Sequence, residues 1–217
     1  MTLAHAFALL TLLGSPALLV AERAGSLRGV LVIKPVTALG FVLVAWAQGA
    51  LTHTPGQVLF VGMLLGFVGD VFLIFKHDKR MFLVGLVAFL LGHLAYVVAF
   101  ALRGVDGRAV LTALVPLGLV AVGVGRWLWP HAGRLRGPVL AYIAVITAMV
   151  AAAIGAVAAG DTVMLLLGAT LFYLSDLGVA RERFVEKAFV NKLVGQPLYF
   201  AGQLLLAWYV APPLSVG

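Results

Sequence analysis

Eight stretches of mostly apolar residues alternate with short polar breaks along this chain, at roughly 3–21, 28–48, 57–75, 80–101, 109–126, 136–159, 162–180 and 197–213. About 20 such residues in helical form span the hydrocarbon core of a bilayer, so the pattern predicts eight membrane-crossing helices. The breaks carry ordinary stop signals: Pro55-Gly56, the stretch Lys76 to Arg80, Trp129-Pro130, Gly137-Pro138 and Gly160-Asp161. The longest polar stretch, Arg181 to Lys192, is too short for an extramembrane domain, so residues 1–217 read as one eight-helix transmembrane domain. The first stretch lacks a basic leader and reads as a permanent helix rather than a cleaved signal.

Composition agrees with the pattern. Of 217 residues, 63% are hydrophobic and 11% charged, against about a quarter charged in a soluble domain, which leaves too little polar surface for a water-soluble globule. There is no cysteine, which removes disulfides, thiolate chemistry and thiolate-bound metal. The net charge of +7 carries no basic stretch interleaved with aromatics, so no nucleic-acid partner is expected. Twelve of the fifteen Lys and Arg fall in the first, third, fifth and seventh breaks, and only Arg103 and Arg108 in the others. Basic loops stay in the cytoplasm, which places both termini outside. With no eukaryotic sorting tail, the expected location is a bacterial plasma membrane.

Three charges lie where charge is costly. Lys34, Asp70 and Asp176 sit inside apolar stretches, and such residues mark functional interiors. Asp70 is six residues from Lys76, Asp176 five from Arg181 and Lys34 six from Arg28. At about 1.5 Å per residue each is about 8–9 Å below the cytoplasmic end of its helix. Tyr142, six residues after Arg136, falls in the same layer, and Gln203 enters somewhat deeper. Each has a plainer reading: Lys34 as a snorkelling side chain or a buried ion-pair partner, Tyr142 as an interfacial anchor, Gln203 as interhelical glue. Two acids at one depth on separate helices point instead to a shared site opening toward the inner leaflet. On the fourth helix Gly85, Phe89, Gly92, His93 and Tyr96 share one face, with His93 nearer the midplane. The Gly62-x3-Gly66 pair suits close helix packing, within the chain or between chains, and oligomeric state stays open. The segments ending at Asp70 and Asp176, 106 residues apart, suggest a weak parallel 4+4 repeat.

The residues Lys34-Pro35, Gly69-Asp70, Gly85-x3-Phe89-x3-His93-x2-Tyr96, Gly168-Ala169-x-Leu171-Phe172-x2-Ser175-Asp176 and Tyr199-Phe200-Ala201-Gly202-Gln203 resemble, in order, the motifs of the YhhN family, which includes the lysoplasmalogenases. The resemblance implies hydrolysis of the vinyl ether bond of a lysoplasmalogen, a lysophospholipid substrate drawn from membrane lipid. The products are a fatty aldehyde and glycerophospho-ethanolamine or -choline. It carries over Asp70 and Asp176 as the catalytic pair, with Lys34, His93 and Tyr96 around them. A vinyl ether offers no carbonyl to a nucleophile; its hydrolysis needs a proton on the β-carbon and a nearby negative charge. Two carboxyls in unlike surroundings can supply both, as in glycoside hydrolysis, with no cofactor and no metal. The first assignment makes Asp70 the proton donor and Asp176 the stabilising base, though the sequence equally permits the reverse. Ser175 or Tyr142 would hold the water, Lys34 would pair the substrate phosphate with help from Arg181 or Lys192, His93, deeper in, would line the path of the alkenyl chain or hydrogen-bond an Asp, and Tyr96, Tyr199 and Gln203 would line the substrate. The main rival is a small-solute or proton-coupled transporter using the same acids.

Overall fold

A computed structural model describes residues 2–75 and 78–210. Lys76 and His77, and the last residues of the predicted eighth span, 211–213, lie outside the described residues. Among those described there are eight α-helices: α1 (Leu3–Arg23), α2 (Leu27–Ala47), α3 (Thr54–Ile74), α4 (Lys79–Arg103), α5 (Gly107–Leu128), α6 (Arg136–Ala158), α7 (Val163–Ala180) and α8 (Phe189–Trp208). Seven are long and apolar enough to cross a membrane. The other, α8, has 20 residues and at about 1.5 Å each is also long enough. It is less apolar because Asn191, Lys192, Gln196, Tyr199 and Gln203 ride on it. The chain is an all-α integral membrane protein.

Helix starts follow from the polar residues in the breaks. Asp78 accepts from the backbone N–H groups of Arg80 and Met81, and Asp106 from those of Arg108 and Ala109. Ser26 and Thr162 cap α2 and α7 in the same way. Each cap satisfies N–H groups that the first turn cannot.

One boundary departs from expectation. The eighth helix begins at Phe189 rather than near residue 197, and the preceding polar stretch is a π-helical turn over Arg181–Val185 that continues α7. Pro197 looks like a helix start but lies inside α8. The polar first turns hold because buried Asn191 is tied to its surroundings. Its amide oxygen accepts from Arg181, and its nitrogen donates to Glu182 and to the Glu186 carbonyl.

Sequential helices pair as antiparallel hairpins: α1 with α2, α3 with α4, α5 with α6, and α7 with α8. Further contacts, α2 with α3, α4 with α6, α6 with α7 and α8 with α2, close a ring of six helices in the order α2, α3, α4, α6, α7, α8. The order repeats after four helices, so α2, α3 and α4 occupy places equivalent to α6, α7 and α8. The two remaining helices break the symmetry. α1 packs on both α2 and α8, whereas α5 packs extensively on α6 alone. The seam between α4 and α5 is therefore the loosely packed one.

Glycines set the closest helix approach. A Cβ at Gly62 would stand 2.5 Å from the Tyr96 ring and 3.0 Å from the Gly92 carbonyl, so the Gly62-x3-Gly66 face packs α3 on α4 within the chain. Away from the basic ends, buried Arg103 makes a bidentate ion pair with Asp161 and donates to the Val210 carbonyl at 2.6 Å. This ties the end of α4 to the α6–α7 turn and the end of α8.

Candidate functional site

Every helix of the ring contributes to one polar cluster. Lys34 comes from α2, Asp70 from α3, His93 and Tyr96 from α4, Tyr142 from α6, Asp176 from α7, and Tyr199 and Gln203 from α8. Side chains on an α-helix lean toward its N-terminus. α3 and α7 run one way while α2, α4, α6 and α8 run the other, so the two acids lean toward the residues that lean toward them. This explains why His93, expected deeper than the acids, reaches their layer: its Nε2 stands 3.5 Å from Asp176 Oδ2. The π-helical turn helps, since it continues α7 by five residues and sets Asp176 further from the helix end.

The two acids have unlike partners. Asp70, 3% exposed, forms an ion pair with Lys34 Nζ at 3.2 Å and accepts from the Tyr199 hydroxyl at 2.6 Å. Behind it a chain of hydrogen bonds continues. Gln203 donates to the Tyr199 hydroxyl at 3.4 Å, and the Tyr96 hydroxyl donates to Gln203 Oε1 at 2.7 Å. Asp176, whose side chain is 15% exposed, accepts from the Tyr142 hydroxyl at 2.7 Å. Phe172 separates the two halves of the cluster, its ring centroid 4.4 Å from that of His93 and 5.1 Å from that of Tyr199. Among the described residues, no three His, Asp or Glu side chains converge as a metal ion would require.

Asp70 and Asp176 line a common cavity of about 580 Å³, with Lys34, Tyr142, Ser175 and Tyr199 also in its wall. Tyr96 and Gln203, expected to touch substrate, and His93, expected on the alkenyl path or bonded to an Asp, lie behind that wall. Ser175 faces the cavity but donates its hydroxyl proton to the Phe172 carbonyl of its own helix at 2.7 Å. Lys34, expected at the phosphate, is engaged by Asp70. Arg181 is turned toward Asn191 and Glu186 instead of the cavity.

The cavity wall has two parts. Charged and polar residues, Glu22, Glu182, Lys187, Asn191 and Lys192, gather by the starts of α2 and α8, with Glu22 and Lys192 paired. Apolar residues, Phe82, Leu86, Val124, Leu128, Val139 and Ile143, line it along α4, α5 and α6. The two parts meet where the Arg183 guanidinium stands 4.0 Å over the Phe82 ring. In the sequence Glu22 and Glu182 fall in the polar breaks between apolar stretches. No local signal marks them, because Glu22 acquires its place only when α1 closes against α8.

Such a bundle is an integral membrane protein whose ring of helices holds two buried carboxyls on one cavity. Residues 30–210 match the YhhN family, and the chain belongs to it. It is 30% identical over 181 residues to the lysoplasmalogenase TMEM86A of Bos taurus, a match covering 80% of this chain and 73% of that one. It is 31% identical over 171 residues to the lysoplasmalogenase of Mycobacterium tuberculosis, covering 74% of this chain and 64% of that one. The human lysoplasmalogenase TMEM86A is 29% identical over 186 residues. No solved structure matches.

Proposed function

We propose that this protein is a lysoplasmalogenase that cleaves the vinyl ether by proton transfer between Asp176, Asp70 and water. The observation that carries the reading is the pair of carboxyls on one cavity with unlike partners, in a chain whose relatives bear that name. The ion pair favours the reverse of the first assignment. Asp70, held by an ammonium, is the carboxylate; Asp176, with only a hydroxyl and a histidine beside it, is the acid.

Asp176 gives its proton to the β-carbon, the π pair forms the new C–H bond, and the α-carbon becomes an oxocarbenium ion. The Asp70 carboxylate stabilises that charge and takes a proton from the water whose oxygen bonds to the α-carbon. The hemiacetal hydroxyl then returns a proton to Asp176 while Asp70 passes its own to the glycerol oxygen as the C–O bond breaks. One water is consumed and both carboxyls return to their starting forms. The transporter reading requires no such division of labour between two acids.

The charged lining suits the headgroup and the apolar lining the alkenyl chain, and the acids on the same cavity are the groups that meet the vinyl ether. Purified protein given 1-alkenyl-lysophosphatidylethanolamine is expected to release fatty aldehyde, and no fatty acid from the 1-acyl analogue. Fatty acid from the acyl lipid, or silence on both, overturns the reading. Leu86→Trp and Leu128→Trp narrow the apolar part. Each is expected to lower kcat/KM for a long-chain substrate about tenfold relative to a short-chain one. An unchanged ratio would place the chain elsewhere.

The charged part of the wall faces the cytoplasm, because the basic residues cluster at that end of the bundle. The chain has no cysteine, so Lys187→Cys at this exposed position gives a single label site. Sealed inverted vesicles are expected to react with an impermeant maleimide and right-side-out vesicles to stay unlabelled; the opposite result reverses the orientation.

A further inference from the structure

His93 is buried to 1% exposure, has no contact with the cavity and takes no part in the steps above. Its two ring nitrogens nonetheless constrain the site. Nδ1 is 2.7 Å from the Phe89 carbonyl oxygen, one turn earlier on α4. A carbonyl only accepts, so Nδ1 carries a hydrogen. Nε2 is buried with no hydrogen bond among the described residues, and the nearest charged group is Asp176 Oδ2 at 3.5 Å. A neutral imidazole protonated on Nδ1 presents a bare lone pair there. Facing an ionised carboxylate, that lone pair would leave two acceptors opposed in a low-dielectric interior, with neither satisfied.

One proton between them removes the conflict. The other groups around His93 do not supply it. Tyr142 already donates to Asp176, Tyr96 donates to Gln203, and Phe172 has no proton to give. Lys34 is taken up by Asp70 across the cluster. We infer that Asp176 and His93 share a single proton, resident on the carboxyl and directed at Nε2, so that His93 is the positioning residue that orients the Asp176 proton between turnovers. A neutral pair avoids burying a second ion pair beside Lys34 and Asp70. When substrate enters, the O–H turns from Nε2 to the alkene carbon; when the hemiacetal returns a proton, Nε2 is again its acceptor. His93 gains and loses nothing over the cycle. The inference rests on the acid–base reading of the site, but its spectroscopic test needs no substrate.

Infrared spectra of the purified protein at neutral pH test it. Wild type is expected to show a protonated-carboxyl C=O band that Asp176→Asn removes and Asp70→Asn leaves. His93→Gln places an amide donor where the acceptor stood, which favours the carboxylate. The band should vanish, and kcat for aldehyde release should fall about 10²-fold with KM unchanged. His93→Phe removes the acceptor without adding a donor, so the band should persist at a shifted frequency. The amide I band in the same spectra reports whether each variant keeps its helices. A wild-type spectrum without the Asp176 band overturns the inference. So does a His93→Gln band that stays in place, or a His93→Gln effect confined to KM. If the bands behave as expected and no lipid yields aldehyde, the shared proton stands and the lysoplasmalogenase reading falls.

Discussion

Asp176→Asn is expected to lower kcat for aldehyde release by about 10²–10⁴-fold, the usual contribution of a general acid. The amide keeps the shape of the carboxyl and still accepts from Tyr142, whose hydroxyl is 2.7 Å from Asp176, so the cavity wall should survive. What is lost is the one proton that can be delivered to the β-carbon. Binding should not suffer, because neither the headgroup at the charged lining nor the alkyl chain at the apolar lining depends on that proton. A saturated 1-alkyl-ether lysolipid, which has no double bond to protonate, should therefore inhibit the variant as well as it inhibits wild type. The assay pairs aldehyde release with inhibition by this analogue. A variant with normal kcat and raised KM would make Asp176 a binding residue and return the acid role to Asp70.

How much of this site was legible in the sequence depends on what each residue's position costs. Lys34, Asp70 and Asp176 announced themselves because a charge in hydrocarbon is expensive and needs a reason. Their common depth followed from counting residues to the nearest basic break. His93 was harder. Residue counting put it near the midplane, and only the opposed directions of α4 and α7, with side chains leaning to each helix's N-terminus, bring it to Asp176. The partition of the acids was not legible either. Which carboxyl receives Lys34 depends on α2 packing beside α3 in the ring, and nothing local to either helix specifies that neighbour. The start of α8 was misplaced for a related reason: Asn191 and Lys192 read as loop residues until the charged part of the cavity wall supplies partners for them.

The largest expected effects on stability belong to the Lys34–Asp70 pair. Its side chains are 14% and 4% exposed, so removing either partner strands a buried charge, at a cost of about 3–5 kcal/mol. Lys34→Met and Asp70→Asn should each lower the melting temperature in detergent. The double variant should recover most of that loss, because it leaves a methionine and an amide with no uncompensated charge, and the amide oxygen still accepts from Tyr199. Activity should not follow stability. Both variants with Asp70→Asn lack the carboxylate that faces the oxocarbenium ion and accepts the water proton, so both should be nearly inactive even where the fold is restored. Lys34→Met alone separates two roles for the lysine. If the ammonium serves to hold Asp70 ionised, kcat falls and KM stays; if it instead gripped the substrate phosphate, KM would rise with kcat little changed. A double variant no more stable than the single ones would mean that the two side chains do not interact in the membrane. The assignment of Asp70 as the carboxylate would then lose its foundation, since the ammonium at 3.2 Å is what distinguishes it from Asp176.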